Sequence, residues 1–430
     1  MSTRRRRRPV LVAAALVGLL LGGMLGYHVV RLRAAAREMK LDSARDEAAE
    51  KMDPALAAAD NAFGLRLLAE LRKAQPGENV FISPASVAMC LHMVYHGAAG
   101  DTKAAMAKTL ELGEQTTDQL SEADALLREA LRLEGRDLQL RTANSLWLQQ
   151  NVTLLPAFIQ ANQTHYGAHL ATLNLRDPKA VGTINGWVSD QTHGRIPELL
   201  DRIDPGVFLI LVNAAYFHGK WAHRFDQRET TGAAFYLPDG PAKPVPMMRY
   251  DGECLYSETE LYQAVCLPYV GEELSMYVLL PREEVGLDGL CSRLDADRWD
   301  EWTSRFGARD GTVHLPQIRL EWVGDLNDAL KAMGMGIAFD QNRADFSGMA
   351  TGFPIWVHRA RHGTALDVDE KGTEAGAATS VEMMQGKARE QPLLTVDRPF
   401  LCAIADSRTH AILFLGAIAD PQPGAPTKGH

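Results

Sequence analysis

Cysteine is scarce in this chain, with five in 430 residues (Cys90, Cys254, Cys266, Cys291, Cys402), widely spaced and without a Cys-x-x-Cys pair. That spacing argues against a disulfide framework or a cysteine-based metal site. In surroundings as apolar as Ala88-Met89-Cys90-Leu91 and Phe400-Leu401-Cys402-Ala403-Ile404, buried free thiols are expected instead. Enzyme signatures are missing too. There is no Gly-x-Ser-x-Gly elbow, no His-Glu-x-x-His, no phosphate loop and no paired-carboxylate motif, and Gly334-Met335-Gly336 lacks the third glycine of a dinucleotide fingerprint. No metal and no cofactor is therefore expected. Positive charge is short over the bulk of the chain, since the net is −9 despite a strongly basic N-terminus. No broad cationic face for nucleic acid is implied. Internal repeats and low-complexity linkers are also absent before the tail at 421–430.

What is present is a large apolar fraction, 46%, ample for a sizeable core. Arg4 to Arg8 form a basic segment (1–8), followed by a stretch without formal charge, 9–30. At about 1.5 Å per residue, such a stretch reaches across a hydrocarbon core of about 30 Å. The residues predict a transmembrane signal anchor at 9–30, with the N-terminus held inside by its arginines and the domain outside, membrane-anchored on the extracytoplasmic side. A cleaved signal peptide competes with this reading, and would leave the domain secreted. Residues 31–55, charged and alanine-rich, read as a helical spacer. From residue 56 to 420 a single domain is expected. Its first third has apolar residues at helical spacing, as in Phe63, Leu65, Leu67 and Leu68 or Val87, Met89 and Leu91. Strand-like runs follow at 207–213, 274–281, 311–316 and 411–416. Helices first and strands later predict an α+β fold with large, mostly antiparallel sheets. Asn151-Val152-Thr153 and Asn162-Gln163-Thr164 are formal glycosylation sequons.

The most informative stretch runs from Asp369 to Ser380, a series of small residues that bury little surface. From Thr373 it alternates. Thr373, Ala375, Ala377, Thr379, Val381 and Met383 fall on one side, and Glu374, Gly376, Ala378, Ser380, Glu382 and Met384 on the other. In an extended strand the first set would face a core and the second would face water. It is a loop able to become a strand.

This stretch resembles the hinge and reactive loop of inhibitory serpins. Further segments resemble that family in order over 56–420: Asn79-Val80-Phe81-Ile82-Ser83-Pro84-Ala85-Ser86-Val87, then His96 to Thr102, then Val212 to Trp221 with Phe225-Asp226, then Asp397-Arg398-Pro399-Phe400-Leu401 and Phe414 to Ile418. The resemblance implies the serpin fold, with N-terminal helices around large sheets and an exposed reactive-centre loop at about 370–396. The matching hinge residues are Glu370, Gly372, Thr373, Glu374, Ala375, Gly376, Ala377, Ala378 and Thr379. Ser83, Ser86 and Asn213 match a polar cluster beneath the central sheet, where its strands part. Read from the residues alone, the two serines are helix caps. His362 is the matching histidine when counted back from Gly372, with His358 as fallback, and Trp221 matches the tryptophan where the hinge first enters.

The implied activity is irreversible suicide inhibition of a serine or cysteine protease. The enzyme is acylated by the loop and trapped as the loop inserts into the sheet. The partner is thus a target protease held covalently, and a monomer is expected. Hinge length places the scissile bond at Gly386-Lys387. A one-residue shift makes Gln385 or Lys387 the primary residue, while Met383-Met384 and Arg389 offer other targets. Helical stretch Ser121 to Arg132 carries Glu122, Asp124 and Glu129 against two arginines, so no glycosaminoglycan cofactor is expected. A non-inhibitory serpin acting as carrier, chaperone or interaction module is the alternative.

Overall fold

The computed structural model describes residues 39–373 and 393–422, apart from Arg136, Asp239 and Phe353. Helix Pro54–Ala74 starts where Asp53 accepts from the Ala55 N–H at 2.9 Å and Pro54 presets the first turn. Leu56, Phe63, Leu67 and Leu71 then recur on its buried face. Helix Pro84–Tyr95 is buried at every position, as befits a sequence apolar on all sides. Helix Thr117–Ala130 opens on a reciprocal capping box between Thr116 and Gln119.

Among the described residues there are fifteen strands. They are β1 (Val80–Ile82), β2 (Leu138–Gln149), β3 (His169–Leu173), β4 (Leu209–Lys220), β5 (Thr231–Phe235), β6 (Lys243–Glu258), β7 (Tyr262–Pro268) and β8 (Leu274–Pro281). The later ones are β9 (Gly307–Pro316), β10 (Ile318–Asp325), β11 (Arg359–Val368), β12 (Gly372–Thr373), β13 (Leu394–Thr395), β14 (Phe400–Asp406) and β15 (Ile412–Ile418). Four of them, β4, β8, β9 and β15, fall on the runs expected from the sequence. Among the described residues the strands form two sheets. One has the order β1-β15-β14-β8-β7-β6-β9-β13, with β5 on β6. The other, the central sheet, has the order β10-β11-β4-β2-β3, with β12 on β4. Most neighbours are antiparallel, and β4 with β11 is a parallel pair. Helix Pro84–Tyr95 packs beneath this sheet, against β2 and β4, and also touches β15.

The β4–β11 seam positions the site. Its ladder runs from Arg359↔Ile210 to Ala365↔Tyr216 and stops there. Beyond that point β11 is paired on its β10 side as far as Val368, and β4 on its β2 side as far as Gly219. The chain leaves β11, turns at Asp369 to Gly372, and returns as β12 against the far end of β4.

Residues 39–51 are helical and packed on the domain. Arg45, Ala48 and Met52 are buried, and Arg45 reaches Glu273 Oε2 at 2.5 Å and the Ala130 carbonyl at 3.3 Å. Arg408 donates to the same carbonyl at 3.1 Å and to Asp46 at 3.1 Å. The stretch expected as a spacer is thus, from residue 39 on, part of the packed body. Among the described residues no helix is long and apolar enough to cross a membrane. The basic segment 1–8, the expected anchor at 9–30 and residues 423–430 lie outside the described residues.

Candidate functional site

Two adjoining features make up the site, a polar cluster under the seam and the turn from Asp369 to Gly372 at its open end. Ser83 stands at the first turn of helix Pro84–Tyr95, but no cap bond forms there. Its Oγ instead donates to Leu413 O at 2.6 Å, and its N–H donates to His362 Nε2 at 2.9 Å. The expected cap reading is corrected accordingly. The helix entrance is buried, and the hydroxyl satisfies the Leu413 carbonyl of β15.

Asn213 of β4 lies opposite His362 of β11 in the ladder. Its Nδ2 donates to Ser86 Oγ at 2.6 Å, to Ser86 O at 3.0 Å and to Asn144 Oδ1 of β2. Thr364 Oγ donates to Phe81 O at 2.6 Å. Each of the two strands is therefore tied to the chain at the start of one helix, β11 through His362 to Ser83 and β4 through Asn213 to Ser86. His362 is wholly buried. Burial pushes its pKa down to about 3, opposed in part by the Asn213 backbone, so the ring is neutral at physiological pH and can accept from Ser83. His358, the fallback, precedes β11 and gives its N–H to Leu209 O, away from this cluster.

At the open end, Trp221 is fully buried and stacks on Tyr269, with ring centroids 4.6 Å apart and planes 10° from parallel. Its Nε1–H donates to Asp369 O at 2.9 Å and its backbone N–H to Lys371 O at 3.1 Å. The Glu370 side chain is buried and accepts from Thr230 Oγ at 2.5 Å and Gln317 Nε2 at 3.0 Å. Gly372 has φ +139°, and a Cβ there would sit 2.2 Å from Gly219 O and 2.5 Å from Lys220 Cα. Glycine alone permits that approach. Gly372 pairs with Lys220 and Thr373 with Gly219.

The structure thus brings Ser83, Ser86, Asn213 and His362 into one network and gathers Glu370, Gly372 and Trp221 at the seam's end. Glu374, Ala375, Gly376, Ala377, Ala378 and Thr379, and both residues of the expected scissile bond, Gly386 and Lys387, lie outside the described residues. Sequence reasoning missed Asn144, Thr364, Thr230 and Gln317. Asn144 carried a faint signal, being a polar residue inside the apolar run of β2. The five thiols are free and buried, and burial pushes Cys90, Cys291 and Cys402 up to about 12, where they are unreactive. Of the two sequons, Asn151 is exposed in a turn. Asn162 is wholly buried, with its amide donating to Phe158 O at 3.0 Å and Met93 O at 3.4 Å, so the folded chain does not present it for modification.

Residues 58–421 match the family model described as serpin, serine protease inhibitor. Human Serpin B8 is 36% identical over 374 residues, covering 85% of this chain and 99% of its own length. Human leukocyte elastase inhibitor is 34% identical over 378 residues, with the same two coverages. Among solved structures, the thermophilic serpin tengpin in its native state superposes with a TM-score of 0.79 at 27% identity, over 86% of this chain and 95% of its own. Human thyroxine-binding globulin with its ligand does so with a TM-score of 0.79 at 25% identity, over 85% and 98%. The chain belongs to the serpin family and has the serpin fold. By its relatives it is a serine protease inhibitor and not an enzyme.

The comparison also corrects one expectation. With 99% of each of these relatives' length matched by 85% of this chain, they have no counterpart to the apolar N-terminal stretch. The described part of the N-terminal region packs on the domain, and no described helix has the length and apolarity of a membrane span. The anchored, extracytoplasmic placement expected from 9–30 is overturned.

Proposed function

We propose that the chain is an irreversible suicide inhibitor of serine proteases, and by the same acyl-enzyme logic of cysteine proteases. It traps the enzyme by inserting the cleaved loop between β4 and β11. The observation that carries this reading is the pairing of Gly372 and Thr373 with β4 at the end of the β4–β11 seam. The first residues of an inserting strand are seated, and the ladder that would have to part lies directly ahead of them. Loop insertion is β-augmentation from within the same chain, driven by strain that cleavage releases.

In this mechanism the protease acylates itself on the residue before the scissile bond, Gly386 in the favoured register. The hinge then adds Glu374 to Thr379 and beyond to β12. Insertion must outrun hydrolysis of the acyl-enzyme, and the inward set Thr373, Ala375, Ala377 and Thr379 is small enough to enter without delay. The Ser83–Ser86 cluster acts as the latch between the two strands, while Trp221 and Glu370 fix the point of entry. The names of relatives such as leukocyte elastase inhibitor support this reading.

The test is incubation of the full chain with trypsin, chymotrypsin, elastase and subtilisin, read by denaturing gels and intact mass. A denaturant-resistant adduct with release of the C-terminal peptide is expected. The likeness to thyroxine-binding globulin with thyroxine favours a second reading, a non-inhibitory carrier. That reading predicts loop cleavage without an adduct for every protease.

A further inference from the structure

Asp60, His92 and Asp124 are wholly buried, one on each of helices Pro54–Ala74, Pro84–Tyr95 and Thr117–Ala130. Ionisable groups sealed from water must satisfy one another. Helix Pro84–Tyr95 is buried at every position, so the imidazole of His92 has no route to solvent along its own helix. Its Nδ1 lies 3.1 Å from both carboxylate oxygens of Asp124. A bare nitrogen would oppose them there, so Nδ1 carries a hydrogen and donates it. Nε2 then faces Asp60 Oδ1 at 3.8 Å. Among the described residues, neither oxygen of Asp60 nor Nε2 has a hydrogen-bond partner. With Asp60 ionised and Nε2 bare, two acceptors confront each other away from water, and the three side chains carry two negative charges. One proton between Nε2 and Oδ1 removes that confrontation, whichever atom holds it.

None of the other titratable groups around the three pairs with Asp60. His96, one turn beyond His92, lies 2.8 Å from Ser121 Oγ and 3.0 Å from Tyr166 Oη, and burial pushes it down to about 4, so it is neutral. Burial, and then Asp124, hold the Tyr166 hydroxyl well above its ordinary range, so it too is neutral. Lys103 donates to Thr117 Oγ1 at 2.7 Å, and both Lys103 and His165 bear on His96. Burial raises Asp60 to about 8, with His92 opposing and Asp124 adding. For His92 burial works downward, yet Asp124 and then Asp60 carry it above its ordinary value.

We propose that Asp60, His92 and Asp124 form a proton-held lock at this helical corner. One proton in the gap between Asp60 and His92 fastens the three helices, and its loss as the pH rises leaves two buried negative charges that unseat helix Thr117–Ala130. That helix is the one able to yield. Asp118, Glu122 and Arg128 leave its outer face exposed. Helix Pro84–Tyr95, in contrast, is enclosed on all sides, and Pro54–Ala74 is pinned by Asn61, which donates to His410 O and accepts from the Ile412 N–H, both at 2.8 Å. Apolar residues of similar volume would hold the corner as firmly. The charged trio makes its hold depend on a proton. The lock stands apart from the inhibitor reading.

Urea unfolding of the full chain compares wild type with Asp60→Asn, whose amide offers Nε2 a hydrogen that does not titrate. The folded chain keeps the Asp60 proton up to about pH 8, while the ordinary value is 3.8, so stability from the held proton is lost as the pH rises between those limits. His92, raised above 6.5, acts in the same sense from 6.5 upward. The ratio of the wild-type unfolding constant to the variant's is expected to rise by up to about tenfold per pH unit between pH 6 and pH 8, the effect of one proton. A ratio independent of pH overturns the lock. Hydrogen exchange, corrected for the intrinsic rise of exchange with pH, reads the helix itself. From pH 7 to pH 9, peptides of Thr117–Ala130 are expected to lose protection about tenfold in the wild type, and to keep it in Asp60→Asn and in Asp124→Asn, which removes the other negative charge. Unchanged protection in the wild type at pH 9 overturns the proposal with no variant needed. An equal loss in whichever variant folds overturns it as well.

Discussion

At the scale of single residues, the site turns on two positions that the sequence displays very differently. Gly372 was legible as part of a hinge, but the reason for glycine there was not. The reason is the packing of its Cα on Gly219 O and Lys220, from a part of the chain about 150 residues away. Gly372→Ala combines a left-handed φ with a direct clash, a strain of about 1–3 kcal/mol or more. It is expected to unseat β12, lower the melting temperature of the native form and raise the number of inhibitor molecules consumed per protease trapped. His362 was legible by position, yet its partner and protonation required the fold. The sign of its pH effect follows from burial. The folded pKa of about 3 lies below the ordinary value of 6.5, so between those limits the unfolded chain holds the extra proton and stability falls as pH drops. At pH 5 the loss from this group is about 2 kcal/mol. Asp60, pushed up to about 8 by burial, acts in the opposite sense: the folded chain holds its proton, and stability falls as pH rises through the same window. The total profile therefore mixes both. Urea midpoints of wild type and His362→Gln, compared from pH 7 to pH 5, isolate the histidine: the wild-type value should fall more steeply than the variant's. Parallel curves would contradict the assignment.

At the scale of elements, the strands were the most legible part, because long apolar runs such as Leu274–Pro281 admit few other readings. The alternation after Thr373, on residues outside the described ones, is read as a strand in waiting. Because small inward residues let the loop enter without delay, Ala375→Glu or Thr373→Arg is expected to abolish adduct formation while the loop is still cut at an undiminished rate, as gel analysis of the cleavage products would show. An undiminished adduct with either variant would sink the insertion mechanism. The helix at 39–51 was legible as a helix but not as a docked one. Its anchoring arginine finds Glu273 from 228 residues away and Ala130 from 85, and no periodicity encodes such pairings. Arg45→Ala removes one of the two arginines that serve Glu273 and the Ala130 carbonyl, with Arg408 remaining on both, and is expected to lower stability by about 1 kcal/mol in urea unfolding. A change within about 0.5 kcal/mol would mean the helix contributes no more than surface contacts do.

At the scale of the whole molecule, the central sheet holds, among the described residues, five strands and the two-residue β12 on β4. The sequence announced the family through motifs spread over the domain, and it failed where location was concerned. An apolar, charge-free run says how far a segment can reach, not what the protein does with it. Cleavage of the loop should convert stored strain into added strand, so the cleaved chain is expected to melt well above the native one in calorimetry. The central claim, that this seam opens to trap a protease, is tested most directly by intact mass of the mixture after incubation with each protease of the panel. A species is expected whose mass equals protease plus inhibitor minus the released C-terminal peptide, stable in denaturant. A loop cut to completion by every enzyme, with no such species and no gain in melting temperature, would contradict it.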